Sequence, residues 1–290
     1  MENWDKHKKT MNTMNNNFRF SRLLMVMRWD VFTNYKTYLN TVLGMISALL
    51  PVYILQQYQL SKQYQHLPSI AIKLGYQGIS QYTLLIFTIA MCMMATQIFM
   101  VMKTNGQREQ FLMLPASNLE KYISRFLFST LGAVVAMIIA IVVADLVQLL
   151  FSFILLPGHH QSVCLSTVAL LWKIWNVFIE NIDSTRSLLL SLFIVVCVVC
   201  AHSFFILCGT LFRKHTVVVS GILFIAMTYL VIYVIESVSG SMTTWLIHID
   251  NTLFDSLLIA TGLLLVSFQY WLSYKVFTRM QVICNKWINL

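Results

Sequence analysis

The chain is short of charge. Asp, Glu, Lys and Arg make up 11% of its 290 residues, where a soluble domain carries about a quarter. With 58% hydrophobic residues and a mean hydropathy of +0.71, it has too little polar surface to cover a water-soluble fold. That composition implies an integral membrane protein. Glycine (10) and proline (4) are also scarce, so long helices meet few breakers. The alternating pattern of a membrane β-barrel is missing. A cleavable leader is not expected, because the first 36 residues are polar and basic and the first apolar run is long.

Chemical motifs are missing too. Gly106 is followed by Gln107-Arg108, not by the Gly-Lys-Ser/Thr that closes a phosphate-binding loop, so ATP is not bound by that motif. There is no His-Glu-x-x-His, and no Ser/His/Asp or Cys/His set is legible at a shared membrane depth. No catalytic residue, bound cofactor or metal is expected. Six cysteines are present, and only Cys164 is expected on the outer side, which leaves no disulfide framework there. Cys197-Val-Val-Cys200 has the spacing of a redox or metal pair, but inside an apolar helix two small buried thiols are the plainer reading. The methionines at 91, 93, 94, 100 and 102 read as gap-fillers, since only Cys92 accompanies them as a soft ligand. His159-His160 alone is a weak metal signal.

What remains is a set of charge-free runs: Thr37–Ser61, Leu74–Met102, Phe126–Ala144 (continuing apolar to Leu156), Ser187–Phe212, His215–Ile235 and Ser256–Tyr274. Each provides the roughly 20 residues that cross a bilayer. The expected fold is therefore all-α, a polytopic membrane protein with six transmembrane helices. Sixteen of the twenty Lys and Arg fall in the N-terminal segment, the loop around Asn105, the Arg213-Lys214 link and the C-terminal end; four, Lys62, Lys73, Lys173 and Arg186, fall elsewhere. By the positive-inside rule both termini are cytoplasmic. The net charge of +9 then reads as a topology signal and an attraction to anionic lipid, not as nucleic-acid binding.

Three segments are expected before and within the bundle. Residues 1–17 form a basic, poorly ordered tail. Residues 18–36 form an amphipathic helix on the inner membrane surface, with Phe20, Leu23, Leu24, Met27, Val31 and Tyr35 on its apolar face. Residues 37–290 form the six-helix domain, with a cytoplasmic loop at 103–125. On the outer side Leu171, Ile174, Trp175, Phe178 and Ile182 form the apolar face of a second amphipathic helix, which rests on the outer leaflet or caps the bundle. In the third span Gly132, Ala136, Ala140 and Ala144 recur every four residues, a small-residue ridge for close helix packing within the subunit or across a dimer. Asp145, roughly 30 Å along the helix from Arg125, is expected at the outer boundary as a hydrated acid or the lining of an exit. Glu236 ends the fifth span on that side and, with Asp145 and His202, is a candidate for an outer pathway. His202 is a lone ionisable residue in the fourth span, either a hydrogen-bonded structural histidine or a proton or substrate site.

The loop Asn105–Arg125 carries the most local punctuation. Asn105-Gly106 starts a short helix, Pro115 ends it, and Ser117 with Glu120 forms a capping box for the next. The short helix is marginal in water and needs something to hold it, the membrane surface or a soluble partner. Arg108, Leu112, Leu114, Pro115, Ser117 and Glu120, between the second and third of six spans, resemble the first intracellular loop of ABC type-2 transporter permeases. With the Phe18-Arg19-Phe20-Ser21-Arg22 lead-in, the chain is similar to permease-like proteins of Bacteroidota. The resemblance implies the membrane-spanning subunit of an ATP-driven exporter in a bacterial inner membrane. It implies a partner ATPase subunit that holds ATP and Mg, and a second permease chain, identical or not. It implies that Arg108, Glu109, Phe111, Leu112, Leu114, Pro115, Ser117 and Glu120 couple to the ATPase. The two short re-entrant helices often found before the last span in that family are not obvious in this sequence. A non-transporting scaffold or sensor is the alternative. A secondary transporter is disfavoured, because the Asn105 loop has no counterpart in the short Arg213 link and no half-repeat is visible.

Overall fold

A computed structural model describes residues 18–63, 69–102, 104–155, 160–180, 185–213, 215–246 and 251–279. The tail 1–17, Cys284, His159 and Ile182 lie outside the described residues. In chain order the helices are α1 (Phe20–Gln63), α2 (Ser69–Thr96), a 3-10 turn (Met100–Met102), α3 (Asn105–Leu112), α4 (Asn118–Leu127), a π-turn (Phe128–Gly132), α5 (Ala133–Leu155), α6 (Val163–Glu180), α7 (Thr185–Leu211), α8 (Thr216–Leu246) and α9 (Asn251–Arg279). Six stretches of helix are long and apolar enough to cross a membrane, within Phe20–Lys62, Leu74–Thr96, Asn118–Leu155, Ser187–Leu211, Thr216–Val234 and Thr252–Arg279.

The first span and the expected surface helix are one helix with a kink. The break falls at Asn34 (φ −115°, ψ 17°), not at Pro51. The Asn34 side chain donates to the Asp30 carbonyl (3.2 Å) and to Asp30 Oδ1 (2.7 Å), competing with the backbone ladder as short polar side chains do. Along this arm, Phe20, Leu24, Val31 and Tyr35 of the expected apolar face are exposed, as are Met25 and Phe32. A second face, Leu23, Val26, Asp30 and Asn34, is buried against the rest of the chain.

Two helix pairs form the bundle, α1 with α5 and α7 with α9, and α2 joins them by packing on α1, α5, α6, α7 and α8. The small-residue ridge lies in the first pair. Ala133, Met137, Ala140 and Ala144 are fully buried, the last three in one cluster with Met45, Leu49 and Tyr53 of α1. Ala140 and Ala144 thus pack within the subunit, while Gly132 and Ala136 sit at the margin of the stripe, half-buried. Close approach in the second half depends on glycine. A Cβ on Gly209 of α7 would fall 2.4 Å from the Thr96 carbonyl oxygen of α2, and one on Gly262 of α9 would fall 2.6 Å from Val196 Cγ1. Helix α8 is peripheral, with Ile222, Ile225, Tyr229 and Tyr233 among its many exposed apolar side chains.

Candidate functional site

The loop between the second and third spans is built from two capped helices. Thr104, one residue ahead of the expected start, is the N-cap of α3: its hydroxyl accepts from Gln107 N, and Gln107 Oε1 accepts from Thr104 N. This reciprocal pair satisfies two of the helix's open backbone donors. The helix ends at Leu112, ahead of Pro115. Ser117 then caps α4 as its spacing implies, with Glu120 N donating to Ser117 Oγ (3.3 Å) and Ser117 N donating to Glu120 Oε2 (2.8 Å).

The expected coupling residues divide by direction. Phe111 is fully buried in the chain's own core, with Val26, Ile98, Met102 and Tyr122 in its cluster and the Trp29 ring centroid 6.3 Å away. Arg108 is 1% exposed. Both side chains face inward in this arrangement, away from any outside groove. The physical reason is that the buried face of α1 supplies the apolar wall that a short helix needs. The protein itself therefore holds α3. Leu112, Leu114 and Ser117 are half-buried, while Glu109 and Pro115 are exposed, and Met113 (83% exposed) and Leu119 (40%) add apolar surface that the sequence did not single out.

Charged side chains bind the loop to its surroundings. Glu120, fully buried, accepts from the Arg19 backbone N–H (2.7 Å) and pairs with the Arg22 guanidinium (3.2 Å), so the capping acid also clamps the start of α1. Lys121 Nζ donates to the Leu112 carbonyl (2.6 Å), one of the carbonyls left open at a helix C-terminus. Arg125 donates through Nε to the Ile98 carbonyl (2.9 Å) and through NH1 to Asp30 Oδ2 (2.5 Å) and Tyr38 Oη (3.1 Å). Tyr38 Oη in turn donates to Asp30 Oδ2 (2.7 Å). One buried guanidinium thereby ties α4 to the arm of α1 and to the chain just beyond α2. The ion pair is not legible in the sequence, because its partners are 95 residues apart. A local signal existed: Asp30 is the one acid in 18–36 and sits in register with Val26 and Asn34.

Two irregularities face each other beside this network. Tyr38, one turn past the Asn34 kink, stacks on Phe128 at the start of the π-turn with centroids 5.4 Å apart. The Ser129 and Thr130 hydroxyls donate to the Phe126 carbonyl, satisfying a carbonyl where the ladder changes step.

The residues expected along an outer path have separate surroundings. Asp145 is 5% exposed rather than hydrated. It accepts from Ser162 Oγ (2.5 Å) and Val163 N (2.7 Å), capping α6 from a different helix. Burial first, and then this carboxylate, push the Cys164 thiol above its ordinary range. His202 is half-buried; its Nδ1 lies 3.1 Å from Tyr270 Oη, and its Nε2 has no hydrogen-bond partner among the described residues. Glu236 is exposed. Cys197 is exposed and Cys200 half-buried, both as free thiols. Among the described residues no group of three His, Cys, Asp or Glu side chains is placed to hold a metal. Helix α6 leaves Leu171, Trp172, Ile174 and Trp175 exposed, with an apolar groove of about 590 Å³ between it and Val195 of α7. No family model, curated protein or solved structure matches the chain.

Proposed function

We propose that the chain is the membrane-spanning permease subunit of an ATP-driven ABC exporter, coupled through the 105–120 loop to a separate ATPase subunit and working beside a second permease chain. One observation carries the reading. The loop has an inner face packed and hydrogen-bonded to α1, α2 and α4, and an outer face that presents Glu109, Met113, Pro115 and Leu119. A force applied to that outer face reaches the first and third spans through Glu120, Lys121 and Arg125 rather than through a flexible linker. A lipid-lying loop has no use for such wiring, whereas a subunit driven from outside the membrane needs it.

The test follows from the exposure. Met113→Asp with Leu119→Asp places charge on the outer face and leaves the buried face untouched. The double variant is expected to melt as the wild type does while losing a nucleotide-binding subunit that co-purifies from native membranes. If no such subunit accompanies the wild-type chain, or if the variant retains it fully, the assignment fails. Phe111→Ala is the contrasting change: truncating a fully buried Phe costs about 3–5 kcal/mol, so it should unfold the loop end as a whole.

A further inference from the structure

The end of the bundle away from this loop holds a second buried polar set, which the permease reading does not use. Gln57 of α1 and Gln148 of α5 are both fully buried. Gln148 Nε2 donates to Gln57 Oε1 at 2.6 Å. That bond leaves Gln57 Nε2 and Gln148 Oε1 with no hydrogen-bond partner among the described residues. Exchanging the oxygen and nitrogen of both amides changes nothing: one bond is made, and one donor and one acceptor stay open. Unmet amide groups are costly when buried.

The neighbours narrow what can answer them. Tyr53, one turn before Gln57, is fully buried and accepts from Thr83 Oγ1 (3.0 Å). Asp145, one turn before Gln148 on α5, is buried as well. An anion would meet the Asp145 carboxylate, and a cation would meet the open Gln57 N–H dipole. A neutral group that donates and accepts at one atom satisfies both open edges. We propose that the Gln57–Gln148 amide edge is a binding site for a hydroxyl group, supplied either by water or by an alcohol or sugar hydroxyl of a solute. The site stands whether or not the chain transports.

The full chain reconstituted in lipid vesicles tests it. Gln148→Cys, made with Cys164→Ser to remove the nearby thiol, is exposed to the small water-borne reagent methanethiosulfonate ethylammonium. Met137→Cys, fully buried on the same helix, is the dry control. Labelling of Gln148→Cys at least tenfold faster than the control supports the site. Slowing by glycerol then identifies a solute hydroxyl as the ligand, and indifference to glycerol identifies water. Labelling no faster than the control overturns the proposal. The Gln57→Leu, Gln148→Leu double variant gives an independent reading if the cysteine variant fails to fold. A dry pair with two open atoms is better replaced by leucines, so a double variant that melts above the wild type overturns the site. One that melts at or below it supports the site.

Discussion

Asp30→Asn is the sharpest perturbation the structure offers. The change keeps the side chain's size and one acceptor and removes its charge. Arg125, 4% exposed, is then a buried cation without its counterion. Breaking a buried pair from one side typically costs about 3–5 kcal/mol, because the remaining charge cannot be rehydrated. The amide also presents an N–H to a site where NH1 of Arg125 and Tyr38 Oη both point their donors, so the figure belongs at the upper end. Against a total stability of about 5–15 kcal/mol, this is a large fraction, and a fall in melting temperature on the order of 10 °C is expected. The assay is a thermal melt of the purified chain in detergent, run beside Asp30→Leu, Arg125→Met. That double variant removes both charges, and apolar replacement of a buried pair is often neutral or stabilising, so it should melt well above Asp30→Asn. A single variant within a degree of the wild type would refute the buried pair. A double variant as unstable as the single would show that the bonds to Ile98 and Tyr38 matter, and the charge does not.

Other outcomes are equally specific. Gly209→Ala drives a methyl into the Thr96 carbonyl, which cannot rotate away, so α2 and α7 must separate; a loss of about 1–3 kcal/mol is expected in the same melt, and an unchanged melt would contradict the close approach. For Cys164, whose thiol is held above its ordinary 9.0, the thiolate is the reactive form, so alkylation should be slow at pH 8 and still rising above pH 9. Asp145→Asn should lower that pKa and speed labelling at pH 8; an equal or slower rate would remove the carboxylate from the explanation. For topology, the excess of basic residues predicts that engineered cysteines at Gln161 are labelled from outside intact cells and those at Gln107 are not, and external labelling of Gln107 would reverse the orientation.

Much of the architecture was legible because it is local or additive. Six long apolar runs read as helices because a backbone in hydrocarbon must satisfy its own hydrogen bonds, a requirement that any sufficiently apolar stretch meets without knowing its neighbours. The Ser117–Glu120 box closes over three residues, so its chemistry is complete in the sequence. Periodicity marked the α1 arm up to the region where Asn34 breaks it. The Ala140–Ala144 ridge was visible for the same reason, although its partner, α1, was not.

Tertiary structure alone decided which way the other residues face. Phe111 and Met113 lie two apart on one short apolar stretch, yet one is fully buried and the other 83% exposed. Their difference depends on where the α1 arm lies, and that arm is held by Glu120 and Arg125 from roughly a hundred positions away. Asp145 looked like a hydrated acid because the sequence cannot show that Ser162 and Val163 return to cover it. Gly209 carries no local mark at all; its necessity exists only where α7 meets the end of α2. Hydrophobicity and capping are properties of a segment, whereas burial, ion pairing and close approach are properties of two segments brought together, and a single strand of letters specifies that meeting only through the packing energy of the whole chain.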